Sequence, residues 1–255
     1  MPAFALPDFE AASFDPTSGK AILAQQGALL LRGMFPSDLI TDWAPSFAAA
    51  FERADHLLAK GELSQHARSL YQYGHVSPAE IPHYPELEQS LVQTPGFAAF
   101  LRAYYGEEVC IIKKNTVPRR QSPQIPEMAI AWHQDQEFVG QMPSGLNVWI
   151  PLTPAGGYFP GLEIWLESPQ KPLLSLQTPP EQRQQILQKL LPARLWRPEL
   201  QPGDILLLTF FTLHRTHLSS EMQQTRISHE IRMAERADTW VNQSPLTPYL
   251  LPGPA

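Results

Sequence analysis

The 255-residue sequence predicts an α+β fold, mainly β, with helices packed outside an antiparallel double sheet. Helical periodicity gathers before Gly106, and short apolar runs of strand length follow it. Gly, Pro, Asp or Asn punctuates most gaps between those runs. The 27 prolines are scattered, which suits many turns between short strands better than long helices. A single domain is expected: a helix-rich part over about 1–106, a β core over about 107–236 and an extended tail over about 237–255.

Taken in order, Ser18 is placed to cap a helix to about Gln26, and Gly27 stops it. Ala28-Leu-Leu-Leu-Arg32 reads as a short buried strand. Ser37 is the expected cap of a second helix, with Leu39, Ile40, Trp43, Phe47 and Phe51 on one core-facing stripe. Residues 61–89 have weak periodicity and hold Tyr71, Tyr73, His75 and His83, as a lid or binding loop does. Thr94-Pro95 opens a third helix to about Tyr105, with proline in the first turn where its missing N–H does no harm. Strands are expected near 108–117, 128–138, 145–153, 162–167, 193–198, 204–213 and 225–235. One helix over about 180–191 interrupts them, with Ile186, Leu187, Leu190 and Leu191 as its apolar stripe. The proline-rich end from Ser244 reads as extended surface chain.

Composition narrows the function classes. A formal net charge of -6 and no basic run argue against nucleic acid as a partner. No apolar stretch approaches the ~18 residues of a membrane span, so no membrane association is expected. The start lacks a basic, then apolar, leader pattern. Cys110 is the only cysteine, which fits a reducing compartment, and a cytoplasmic protein is expected. The oligomeric state is left open.

Chemistry concentrates in two short segments. Trp132-His133-Gln134-Asp135 puts an imidazole and a carboxylate two residues apart on an expected strand, hence on one face and within reach of one ion. A lone H-x-D is a weak signal. His214 closes the apolar run Ile205–Phe211, where an antiparallel partner strand brings it against the first pair. Its rival is His217, three residues on and facing away from His214 on an extended strand. Two imidazoles and one carboxylate are the ligand set of a non-haem Fe(II) oxygenase. Arg226 and Ser228 share one strand face and suit bidentate capture of a carboxylate. Lys113 or Lys114, with Asn115, offers a further polar contact to such a co-substrate, while Arg232 and Arg236 read as surface arginines. Asn147 and Trp149 are expected to face the site, with Val148, Ile150 and Leu152 toward the core. Tyr158 and Phe159 line a mouth or simply pack. Tyr71, Tyr73, His75, Phe138 and Trp149 are the candidate substrate contacts, from the lid or the flank of the site.

With these residues assembled, the chain resembles the phytanoyl-CoA dioxygenase-like family of Fe(II)/2-oxoglutarate oxygenases over most of its length. Gln25 to Asp38 resembles the family's opening of helix, short strand and next helix start. Trp132 to Asp135 matches its W-H-x-D metal strand, and Asn147 to Thr153 resembles its W-x-P-L-T strand. His214, ten beyond Asp204, and Arg226, twelve beyond His214, match the spacing of its distal metal histidine and co-substrate arginine. Two departures stand out: Gly161 to Pro169 replaces a frequent P-G-S-H stretch, and a common asparagine between His214 and Arg226 is missing. The resemblance implies a double-stranded β-helix (jelly roll) with N-terminal helices. It implies Fe(II) on His133, Asp135 and His214, with 2-oxoglutarate and O2 as co-substrates. A small-molecule C–H bond would be hydroxylated with release of succinate and CO2. Asp135 stands where related halogenases have a small residue, which points to hydroxylation. Two alternatives remain at this level: a cupin-type metalloenzyme that does not use 2-oxoglutarate, and a non-catalytic jelly-roll binding module. A structural metal site usually has four protein ligands, and the motif offers three.

Overall fold

A computed structural model describes residues 5–167, 171–189, 194–235 and 246–252. Leu190, Leu191, Arg236 and the tail residues 237–245 and 253–255 lie outside the described residues. The strands are β1 (Asp8–Glu10), β2 (Ala28–Arg32), β3 (Glu108–Ile112), β4 (Val117–Gln121), β5 (Leu146–Pro151), β6 (Gly161–Trp165), β7 (Leu195–Trp196), β8 (Ile205–Thr209), β9 (Leu213–His217), β10 (Arg226–Ala234) and β11 (Leu246–Leu250). The larger sheet runs β1-β2-β8-β5-β10-β3-β11, with β4 also paired to β10, and the smaller runs β7-β6-β9. Every pairing is antiparallel except β1 with β2. Two facing antiparallel sheets with helices outside form the expected jelly roll.

Why the apolar runs are continuous follows from the layers. Successive side chains of a strand point to opposite faces. Leu29, Leu31, Val148, Ile150, Ile205 and Leu207 point to the helices and join Phe47, Phe51, Phe97 and Phe100. Leu30, Trp149, Leu206 and Leu208 point the other way and meet Leu162, Ile164 and Trp196 of the smaller sheet. With both faces covered, every residue of β5 and β8 is buried.

Helices α1 (Gly19–Gln26), α2 (Ser37–Ala59), α4 (Tyr84–Gln93) and α5 (Pro95–Tyr105) supply the outer layer. Gly27 ends α1 in the left-handed conformation, at φ 80°. Ser18 makes no side-chain cap; its hydroxyl donates instead to Asp15 O. Pro36 rather than Ser37 precedes the first turn of α2, so Ser37 is a helical residue. On the α2 stripe Ile40, Phe47 and Phe51 are buried, while Leu39 and Trp43 are partly so.

Several elements differ from the sequence reading. Residues 61–89 are not an irregular lid: they hold α3 (Gln65–Tyr71), capped by the Ser64 hydroxyl, and the start of α4. The expected strand over 128–138 is a single bridge at His133 followed by a short helical turn, α6 (Gln136–Val139). The expected strand over 204–213 divides into β8 and β9 around a turn closed by Thr212 N donating to Thr209 O at 3.0 Å. The helix over 180–191 is α7 (Pro180–Gln188) and buries no residue. The tail returns to the sheet, where β11 pairs antiparallel with β3. No helix among the described residues is long and apolar enough to cross a membrane.

Candidate metal centre

His133 and His214 meet through the backbone. The two residues exchange N–H to C=O bonds of 2.9 and 3.0 Å, which sets their rings 4.2 Å apart. His214 is held on β9 by pairing with Ile164 of β6. Asp135 reaches the same spot differently from the two-apart strand geometry expected. The chain leaves the bridge and turns helical at Asp135, with φ -58° and ψ -30°, which brings its carboxylate to the imidazoles. One ligand atom from each of the three lies within 4.8 Å of the others. That is near the spread imposed by three bonds of ~2 Å to one ion.

Each imidazole is oriented for this. His133 Nδ1 lies 2.8 Å from Ala131 O and His214 Nδ1 lies 2.9 Å from Thr212 O. A carbonyl only accepts, so each Nδ1 carries the proton and each Nε2 keeps a lone pair for a metal. Burial, and then His214 beside it, pushes the His133 imidazole down to about 3, so it is neutral. Burial alone would raise the Asp135 carboxyl, but Arg232, His214 and His133 hold it below its ordinary value. His217, the rival ligand, lines a separate cavity with Arg197, Glu199 and Glu221.

Beside the imidazoles is a small cavity, lined among others by His133, His214, Trp149, Arg119 and Arg226. Arg226 is fully buried. Its Nη1 donates to Gly161 O at 3.1 Å, and its guanidinium lies over the Trp149 ring at 5.0 Å. Its Nε and Nη2 have no partner, nor has the Ser228 hydroxyl two residues along the same face of β10. Burial pushes the Arg226 guanidinium down to about 9, opposed by Glu230. Buried donors are nearly always paired. Among the described residues nothing meets this two-donor edge of a buried cation, and a carboxylate matches its geometry.

A larger cleft shares His133, Ile130 and Arg119 with the cavity and opens outward past Tyr73, His75, Phe138, Lys114 and Asn115. Phe138 packs edge-on against the His133 ring at 5.6 Å. His75 has a buried Nε2 with no partner, and burial followed by Arg119 pushes its imidazole down to about 3. Lys114 and Asn115 thus sit in the outer cleft rather than with Arg226. Lys113 is elsewhere, bonded to Glu88 and to the Tyr249 hydroxyl, because residues 113–115 form a tight turn instead of continuing the strand. Tyr71 is also elsewhere. Its hydroxyl bonds Asp55 and Arg120, beside a different cavity between α2 and α3. Tyr158 is 70% exposed on the surface.

Two residues expected to do something else hold Asp135. Asn147 Nδ2 donates to Asp135 Oδ2 at 2.8 Å, and Arg232 Nη2 donates to Oδ1 at 2.8 Å. Arg232 is a buried residue, not the surface arginine expected. Its position was readable: Arg226, Ser228, Glu230 and Arg232 fall at alternate positions of β10, so one strand face carries all four. Glu230 and Arg119, which extend the ion network, were likewise unmarked in the sequence.

No family model matches the chain, and no curated protein matches it. Solved structures do match in fold. The non-haem α-ketoglutarate-dependent carbocyclase SnoK from nogalamycin biosynthesis aligns with a TM-score of 0.61 and 15% identity, over 91% of this chain and 88% of that one. EctD from S. alaskensis, solved with 2-oxoglutarate and 5-hydroxyectoine, aligns at 0.60 and 15%, over 89% and 79%. AviO1 from Streptomyces viridochromogenes Tue57 aligns at 0.60 and 16%, over 91% and 99%.

Proposed function

We propose that this chain is an Fe(II)- and 2-oxoglutarate-dependent oxygenase that hydroxylates a C–H bond of a small molecule. The observation that carries the reading is the pairing of an open three-ligand set with a buried, unpartnered arginine edge across one small cavity. The donor chemistry fits the ion: two imidazoles whose Nε2 faces away from the carbonyl partner of Nδ1, and one carboxylate, leaving positions open. SnoK and EctD, whose fold this chain shares, are described with α-ketoglutarate or 2-oxoglutarate. Within such oxygenases, the W-H-x-D and W-x-P-L-T segments and the His214 to Arg226 spacing support a phytanoyl-CoA dioxygenase-like member.

When bound, Fe(II) with 2-oxoglutarate and O2 supplies oxidative decarboxylation to succinate and CO2 and delivers one oxygen atom to a C–H bond. His133, Asp135 and His214 hold the ion. Arg226 grips the far carboxylate of the co-substrate through its Nε and Nη2 edge, and Ser228 adds a hydroxyl. The Trp149 ring fixes the plane of the guanidinium. The outer cleft receives the substrate against Phe138, Tyr73 and His75, which closes His133 off from water. A substrate with an apolar face suits Phe138 and Tyr73, and the His75 Nε2 offers one hydrogen bond.

The reading is tested by titrating metal-free protein with Fe(II) and then 2-oxoglutarate without oxygen. A visible metal-to-ligand charge-transfer band is expected, and Arg226→Ala should raise the 2-oxoglutarate concentration it needs at least tenfold. Iron binding with no band favours the cupin-type enzyme. An absence of iron binding refutes the oxygenase.

A further inference from the structure

Asp135 is held by more than a metal ligand needs. Both its oxygens accept from buried side chains, Asn147 on one and Arg232 on the other. Burying a guanidinium is costly, and a hydrophobic residue of like volume would often serve stability as well. Arg232 is nonetheless fixed from three sides. Its Nη1 donates to Asn115 O at 3.0 Å, and its Nη2 lies 2.9 Å from Glu230 Oε2 as well as 2.8 Å from Asp135. Glu230 is itself gripped by Arg119, whose Nη1 donates to Tyr73 O at 2.8 Å. An unbroken line of ion pairs therefore runs from the wall of the outer cleft to the carboxylate beside the two imidazoles.

We infer that Arg232 is a positioning residue for the metal site, locking the Asp135 carboxylate so that a free lone pair of Oδ1 stays turned toward His133 and His214. The geometry gives each partner its part. A carboxylate oxygen that accepts one hydrogen bond keeps another lone pair for a ligand bond. Oδ1 already lies 4.0 Å from His133 Nε2. A guanidinium alone against Asp135 would compete with an incoming cation. Glu230 shares that charge, so Arg232 orients the ligand while less of its charge opposes the ion. Loss of such an outer partner lowers metal affinity ~10–100-fold in other sites.

This inference rests on the metal reading above, and Co(II) alone separates the two. The full chain, freed of metal, is titrated with Co(II) while its visible d–d bands and its affinity are followed. The wild type is expected to bind one Co(II). Arg232→Met should weaken binding at least tenfold and shift the bands. Arg232→Lys, which keeps the charge but has lost the planar fork, should fall between the two. If Arg232→Met does not fold, Arg232→Lys decides, with at least threefold weakening and shifted bands expected. Binding within twofold of wild type and unchanged bands in the folded variant would overturn the role of Arg232 and leave the metal reading standing. A wild-type protein that binds no Co(II) would overturn both.

Discussion

Arg226 is the residue at which the demands of folding can be tested apart from those of the proposed binding. Its buried charge has no carboxylate in an ion pair with it among the described residues, and two of its N–H groups are unmet. Arg226→Met should therefore fold at least as stably as the wild type, by roughly 1 kcal/mol or more in urea melts. The same variant should lose 2-oxoglutarate binding. A strongly destabilised Arg226→Met would make the arginine structural. His229 gives a second test, away from the metal set. It is buried between Phe47 and Tyr84 and lies 2.7 Å from the Tyr84 hydroxyl, and burial pushes it down to about 3. The unfolded chain takes up this proton near the ordinary value of ~6.5, while the native state does so only near 3. Stability is thus full above that ordinary value and falls as pH drops below it toward 3. Melting temperatures should decline from about pH 6.5 downward, and His229→Gln should flatten the decline. At this scale the sequence disclosed residues whose chemistry comes with a short motif, namely His133, Asp135, His214 and Arg226. The alternation of β10 put Arg232 and Glu230 on the face of Arg226, but their burial and their partners, Arg119 among them, are distant in sequence and could not be read from it.

Among the elements, the segment after α3 supplies two residues of the cleft wall, Tyr73 and His75. Tyr73 and His75 reach the cleft because residues 72–76 press against β4: Arg120 N donates to Gly74 O at 2.7 Å. Gly74 has φ +67°, and a Cβ there would lie 2.0 Å from Arg120 O. Gly74→Ala should cost about 1–3 kcal/mol and push Tyr73 and His75 out of place. A crystal structure or cleft-ligand affinity unchanged from wild type would refute that. The sequence marked Tyr73 and His75 as candidate contacts, but the helix before them was illegible, because one as short as α3 shows too few turns for a clear period. The segment around His133 misled for the opposite reason. Alternation over a few residues reads as a strand, yet only one residue pairs there, and the helical turn at Asp135 is what aims the carboxylate. By contrast β5, β8 and β10 were legible, since long apolar or alternating runs leave few other solutions.

The whole molecule is a sheet packed on both faces, with the site at the end of the layer between sheets. Leu207 sits at 0% exposure on the helix side. Leu207→Ala should cost about 2–5 kcal/mol, measured by urea unfolding. Loss of metal binding without loss of stability would contradict this separation of core and site. The layer order was legible in outline, because helices first and strands afterwards admit few architectures. The return of the chain as β11 was not, since Pro248 argues against a strand. Proline is tolerated there because β11 is the outermost strand, with only one neighbour to bond. Its placement bears on solubility. Without β11, the edge of β3, Val109-Cys110-Ile111-Ile112, would offer unpaired amides and carbonyls to any other strand. With it, the outermost strand carries a residue that has no amide proton to give. A chain ending before Leu246 should therefore self-associate with rising concentration, as light scattering would show.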